Sequence, residues 1–309
     1  MRSTSELSHL VVKSDMRKTQ QPLMIILALL VFSANSFADE SSIEWSPSFE
    51  KAKVLAKVQS SKLAELSGLV ASHKNEGLYW AHNDSGNDPS IYLLDPKTGE
   101  IKLEIELKNT KNKDFEDIAI QQIQDKTYIL IADIGDNRAV RSELFIYRIP
   151  EPKLETNSLM QLAPERMTLS YKEGPRDAET LMADGKNVYL LSKREENNLL
   201  YRFEFKANSS LTAESIGKIA IKNITAGDIR NGEIALRTYP QIYFWPLSNL
   251  SIEERLLTTS PQLLDTSPEP QGEAIAFTQE GDLMSISEKP FFVSQLINFY
   301  KRTKSTEYE

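Results

Sequence analysis

From about residue 50 onward the chain alternates apolar and polar positions in short runs. LYWAH, TYILIAD, NVYLLSK, EIALRTY and DLMSISE each read as a strand. They are rich in β-branched and aromatic residues and bounded by Asn, Asp, Gly or Pro. A further strand follows most of them: IYLLD, LFIYRI, LLYRFEF, QIYFW. A fourth follows some: IKLEIEL, RMTLSY, SIGKIAI. Ahead of the five runs stand five related segments of small or acidic residues leading into an apolar strand. They are Glu65-Leu-Ser-Gly-Leu-Val, Asp114-Phe-Glu-Asp-Ile-Ala, Asp177-Ala-Glu-Thr-Leu-Met, Ala226-Gly-Asp-Ile-Arg and Gln271-Gly-Glu-Ala-Ile-Ala, with starts 49, 63, 49 and 45 residues apart.

Four antiparallel strands recurring every ~40–50 residues predict an all-β chain folded as a β-propeller. Five segments predict five blades. Six stays open, because the 63-residue interval has room for extra strands. The run Ala52–Val58 precedes the first segment and is predicted to complete the last blade, beside Phe291–Tyr300. A β-sandwich would not explain the period. Helical signal is confined to Ser251-Ile-Glu-Glu-Arg-Leu-Leu. Thr258 to Pro270 reads as an inter-blade loop, so residues 39–300 form one domain, followed by a polar tail over 301–309.

The N-terminus reads as a targeting segment. Met16-Arg17-Lys18 is basic, and Leu23–Phe32 is an apolar run of ten, too short to span a bilayer. Ser36-Phe37-Ala38 fits the small-x-small cleavage rule, which predicts cleavage after Ala38. Residues 1–15 read as an extension upstream of a start at Met16; a retained membrane anchor is the alternative. The expected location is periplasmic or secreted, with no membrane span after cleavage. The chain has no cysteine, so an exported product must be stabilised by its core or by a bound ion. Its net charge is −8 overall. Residues 1–38 hold four basic and two acidic residues, so the remainder carries −10. That balance argues against nucleic-acid binding, which requires phosphate neutralisation. A monomer is expected, with a small anionic substrate or an envelope protein as partner.

The first strand of a propeller blade lines the central channel. The five segments therefore bring Glu65, Ser67, Asp114, Glu116, Asp117, Asp177, Glu179, Asp228 and Glu273 towards one mouth. Carboxylates gathered this way raise each other's pKa unless a cation or shared protons intervene. A hard oxygen-ligated ion, Ca²⁺, answers the arrangement. The plainer account is that each carboxylate caps a turn in its own blade. Glu65 to Asp84 and Asp114 to Asp133 are both 19 residues, which predicts that Asp84 and Asp133 are equivalent. The turns HNDSG and DIGDN would then set Asn83, Asp84, Asp133, Asp136 and Asn137 on the same rim, although Asn, Asp and Gly are also ordinary turn residues. Other blades carry Lys193, Arg194 and Arg237 at the matching place, suited to an anionic group or to plain inter-blade ion pairs. Of two histidines beyond residue 38, His73 reads as solvated. His82 is the one candidate imidazole base. No nucleophile elbow, phosphate loop or dinucleotide fingerprint occurs. Tyr79, Trp80, Tyr92, Tyr147, Tyr189 and Trp245 fall at strand spacing and read as core.

The set ELSGL, HNDSG, DFEDIA, DIGDN, DAE, TAGDI with ALRTY, and QGEA resembles a family of exported bacterial β-propeller proteins, over most of residues 60–290. More distantly, ELSGL-to-HNDSG and QGEAIAF are similar to the calcium-activated nucleotidase propellers. Phytase-like, esterase-like and lactonase propellers are similar in architecture. The nucleotidase resemblance implies one Ca²⁺ in the central channel, with Ser67, Glu116, Glu179 and Glu273 at positions like its ligands, and hydrolysis of nucleoside diphosphates; the expected activity is metal-dependent hydrolysis of a phosphate ester, another ester or a lactone. HNDSG and DIGDN depart from that pattern. Expected catalytic groups are Glu116, Asp117 and His82; Asp228 joins the expected metal ligands. A non-enzymatic binding propeller with a structural calcium is the competing expectation.

Overall fold

The computed structural model describes residues 48–155, 159–269, 271–289 and 293–303. The proposed targeting segment and residues 304–309 lie outside them. Strand β1 (Lys53–Lys57) comes first. Then β2 (Leu66–Ala71), β3 (Tyr79–Asn83), β4 (Ser90–Asp95) and β5 (Glu100–Leu107) form an antiparallel meander. Next come β6 (Phe115–Ile123), β7 (Lys126–Asp133), β8 (Leu144–Pro150), β9 (Leu159–Leu162) and β10 (Glu165–Tyr171). The third group is β11 (Ala178–Asp184), β12 (Asn187–Ser192), β13 (Asn198–Glu204), β14 (Ser210–Ala213) and β15 (Ser215–Ile219). The fourth is β16 (Ile224–Arg230), β17 (Glu233–Thr238), β18 (Ile242–Trp245), helix α1 (Ile252–Thr258) and β19 (Gln262–Leu263). The last is β20 (Gly272–Phe277), β21 (Leu283–Ser287) and β22 (Leu296–Tyr300).

These strands make five sheets. The inner strands touch in the cyclic order β2, β6, β11, β16, β20 and back to β2. The molecule is a five-bladed β-propeller. β1 pairs antiparallel with β22, so the N-terminal strand completes the last blade and closes the ring, as expected. The long second interval contains β9, which leaves its own blade and pairs parallel with β5 as a fifth strand of the first. β14 does the same for the second blade, pairing with β10. The extra length adds strands to existing blades instead of a sixth blade.

Period-two patterning explains the core. Leu69 faces the fifth blade and Val70 the second. Leu181 faces the second blade and Met182 the fourth. Successive side chains on a strand point to opposite faces, so each inner strand feeds two inter-blade clusters. The fifth cluster, between blades four and five, is built on Ala226, Phe244 and Ile275. The six aromatics read as core are all buried. α1 starts at Ser251, whose side chain and Glu254 form a reciprocal capping box. Arg302, in the segment read as a tail, is held: it bonds both carboxylate oxygens of Glu233 at 3.0 and 2.8 Å and stacks on Phe49. No described helix is long and apolar enough to cross a membrane.

Candidate metal centre

Each inner strand carries one extra residue near its start. The pairing shifts between Leu66 and Gly68, Phe115 and Asp117, Ala178 and Thr180, Ile224 and Ala226, and Gly272 and Ala274. A bulge leaves its extra residue unpaired and re-aims the side chain. The extra residues are Ser67, Glu116, Glu179, Thr225 and Glu273, all buried. Two are hydroxyls that tie neighbouring blades: Ser67 Oγ donates to Glu116 O (2.7 Å) and Thr225 Oγ1 to Gly272 O (2.8 Å). The charged members are Glu116, Glu179 and Glu273.

The fourth blade therefore needs a correction. Thr225 holds its ring position, not Asp228, and equivalent residues lie 49, 63, 46 and 48 apart. Asp228 sits three residues further along β16. It accepts N–H bonds from Ile229 and Phe277, both at 2.8 Å, and burial pushes its pKa up to about 7. It belongs to the opposite end of the channel. Asp117 is not a base at the mouth either. Its carboxylate accepts from Ile118 N (2.9 Å), Leu181 N (2.9 Å) and Gly227 N (3.3 Å), tying β6 to β11 and β16. Burial raises its pKa well above the usual carboxylate range, against the pull of those donors.

His82 is fully buried in the wall. A Cβ on Gly68 would overlap its ring, so Gly68 leaves the space it fills. Its Nδ1 lies 2.9 Å from Asn83 O, and the ring meets Phe115 edge-on. Burial lowers its pKa to about 4, so it packs as a neutral wall residue.

The turn equivalence also shifts by one. Leu66 pairs with Asn83 and Phe115 with Asp133. Asn83 Oδ1 accepts Glu65 N, and Asp133 Oδ1 accepts Asp114 N, both at 3.2 Å. Asn83, not Asp84, matches Asp133. Asp84 follows its strand end, as Lys193, Tyr239 and Glu288 follow theirs. These outer residues meet the bulge ring. Lys193 Nζ pairs with Glu179 Oε1 and donates to Tyr239 Oη (3.0 Å).

Two groups of acids bring ligand oxygens within 4.8 Å of one another: Asp84 with Asp114 and Glu116, and Glu116 with Asp177 and Glu179. Asp177 is already engaged, by Asp136 N (2.9 Å) and Arg194 Nε (2.6 Å). Glu116 is 3% exposed, and among the described residues no donor reaches its carboxylate. Burial, then the charges of Glu179, Asp84 and Asp114, hold its pKa well above the ordinary range. Burial likewise raises Glu179, Glu273 and, to about 7, Glu288. Asp114 is pushed up to about 6 by burial and then by Asp84. Lys193 responds in the opposite sense: burial lowers its pKa, but Glu179 and Glu273 outweigh this and raise it.

The DIGDN turn closes over the first group. A Cβ on Gly135 would overlap Glu116 Oε1 and the Asp114 carboxylate, so only glycine allows this approach. Arg141 fastens the turn: its guanidinium pairs with Asp133 Oδ1 (2.8 Å) and donates to Gly135 O (2.7 Å), and its N–H bonds Asp136 Oδ2 (2.7 Å). Asn137 accepts from Arg194. Sequence reading missed Arg141, Thr225 and Gly135. The DIGDN motif ends four residues before Arg141, but nothing in the string marks that arginine as the one turned inward. Arg237 is a further correction. It is fully buried, lies 3.1 Å from Glu269 and occupies the space Gly272 leaves without a side chain. It braces blades four and five and is not open to an anionic substrate.

No family model matches the chain, and no curated protein matches it. Among solved structures, glutaminyl cyclase of Myxococcus xanthus is 12% identical, with TM-score 0.47, over 84% of this chain and all of that one. The Pan2 WD40 domain of Neurospora crassa is 10% identical, with TM-score 0.41, over 83% of this chain and 97% of that one. The five-bladed architecture rests on the strand pairing itself.

Proposed function

We propose that the protein is an exported propeller that holds Ca²⁺ at the acidic mouth of its channel. The observation that carries this reading is the Glu116 carboxylate, buried without a donor and grouped with the oxygens of Asp84 and Asp114. A buried carboxylate with no partner is costly as an anion, and a bound cation removes the cost. Ca²⁺ takes about six to eight oxygen ligands in flexible geometry, which suits carboxylates contributed by different blades and completed by water. Asp84 and Asp114 are half-buried and lie on the solvent side, which leaves open positions for water or a ligand.

That open side supports hydrolysis of a phosphate ester, another ester or a lactone. A cation there supplies Lewis acidity and orients water. Asp114 is the rim carboxylate that would accept the water's proton, with Glu116 as ligand. The second reading is a binding propeller with calcium as a structural pin and an envelope protein as partner. It is favoured because Lys193, Arg194 and Arg237 are all engaged, by Glu179, Asp177 and Glu269.

Calcium titration calorimetry tests the site. One ion per chain is expected, lost in Glu116→Gln; a folded Glu116→Gln chain with unchanged affinity contradicts the assignment. Turnover of p-nitrophenyl phosphate, p-nitrophenyl acetate and a lactone, with Ca²⁺ and with EDTA, separates the two readings. A calcium-dependent rate that falls about 100-fold or more in Asp114→Asn supports hydrolysis. No turnover with the ion bound supports the pin.

A further inference from the structure

At the other end of the channel the inner strands open into a cavity of about 590 Å³ to which all five blades contribute. It is separate from the acidic mouth. Glu116 and Gln122 are six positions apart along β6, about 20 Å of strand, and Asp117 with its three N–H donors lies between. The volume is in the range of small-molecule sites, about 300–1,000 Å³. Ile120 and Ile229, both half-buried, give it apolar surface, and Thr278 and Asn231 add hydrogen-bonding groups.

Its distinctive member is Arg230, the last residue of β16. The guanidinium is half-buried and donates to Gln279 O. Among the described residues no carboxylate pairs with it. Arg141, Arg237 and Arg302 each have one: Asp133, Glu269 and Glu233. Arg255 spends its N–H groups on the carbonyls of Pro246 and Gly232. Arg230 thus keeps free donors at the cavity wall, in a fork that matches a carboxylate.

The other titratable groups facing the cavity limit the ligand's charge. Asp228 is committed to two backbone N–H groups, and Asp184 stands exposed at the rim. His73 is also at the rim; burial lowers its pKa, so it offers a neutral donor or acceptor at pH 7. One guanidinium beside two acids suits a single negative charge and opposes a dianion.

We propose that this second mouth binds a monocarboxylate with a compact apolar or aromatic body. The carboxylate sits on Arg230, and the body rests on Ile120 and Ile229.

The test is a benzoate titration of the purified chain, read from the methyl NMR signals of Ile120 and Ile229, both at the cavity wall. Benzamide serves as the neutral isostere and phenyl phosphate as the dianion. Benzoate is expected to shift both methyls, equally in EDTA and in Ca²⁺. Benzamide, and benzoate with Arg230→Gln, should bind at least about tenfold more weakly, the loss of a charge-assisted pair. Arg230→Lys should keep part of the affinity. The proposal is overturned if benzoate leaves both methyls unmoved, if benzamide matches it, if phenyl phosphate binds more tightly, or if a folded Arg230→Gln chain binds benzoate as the parent does. The benzamide comparison needs no variant, so it stands even if Arg230→Gln does not fold.

Discussion

Glu116 is the residue on which the mouth turns. As an anion it has no donor, and the charges of Glu179, Asp84 and Asp114 outweigh that of Lys193, so replacing it removes net repulsion as well as a ligand. Glu116→Gln is expected to melt at or above the parent in EDTA while losing the calcium response; differential scanning calorimetry in the two conditions reads both. Lys193 has the reverse role. It is the buried cation between Glu179 and Glu273, and Lys193→Met should cost about 3–5 kcal/mol at pH 7, because buried charges are left unpaired. The loss should shrink as pH falls, because burial makes those carboxyls take protons more readily; urea melts at pH 7 and pH 5 check it. Gly135→Ala should push Glu116 and Asp114 apart and weaken calcium binding about tenfold with the melting temperature little changed in EDTA. At this scale the sequence showed which residue types gather, because Glu116, Glu179 and Glu273 repeat at fixed places. It misassigned Asp228, because an acid three residues along stood out where the true member was a threonine. It also could not show that Lys193 and Arg237 were already paired, since their partners are distant in sequence.

Among the elements, the bulges are the device that makes the site. A strand without the extra residue would alternate strictly, turning Glu116, Glu179 and Glu273 into an inter-blade core. The bulge sets one side chain per blade at the mouth and leaves the apolar alternation beyond it intact. The strand pattern was legible because apolar residues at period two feed both inter-blade clusters. The parallel strands β9 and β14 were not, because their partners β5 and β10 lie in the preceding blade and nothing local specifies the exchange. β1 closes the ring with mostly exposed side chains, so its contribution is the ladder to β22. Deleting residues up to Val58 should leave Leu296–Tyr300 as an open edge. Hydrogen exchange is expected to accelerate there first, while β6 and β11 stay protected; uniform acceleration over all blades would show instead that the closure supports the whole ring.

For the whole molecule, acidity and calcium are coupled. Glu116, Glu179, Glu273, Asp114 and Glu288 all have folded pKa values above their ordinary ones. The folded state therefore holds more protons than the unfolded chain in the window from about pH 4.5 to about 7. Stability contributed by these groups is present below their unfolded pKa and is lost as pH rises through the folded values. Without a divalent ion, stability should fall across that window. A cation takes the place of the protons and should flatten or reverse the slope. The net charge of −8 adds a general acid-side preference, but it would respond to salt and not to one ion in particular. The measurement that tests this most directly is the melting temperature at pH 7 in EDTA, in Mg²⁺ and in Ca²⁺, for the parent chain and Glu116→Gln. Binding at 100 times Kd adds about 2.7 kcal/mol to the folded state. A clear rise with Ca²⁺, smaller with Mg²⁺ and absent in Glu116→Gln, is the expected result. Equal melting of the parent in EDTA and in Ca²⁺ would contradict the cation site and leave Lys193 and bound protons as the balance for the ring.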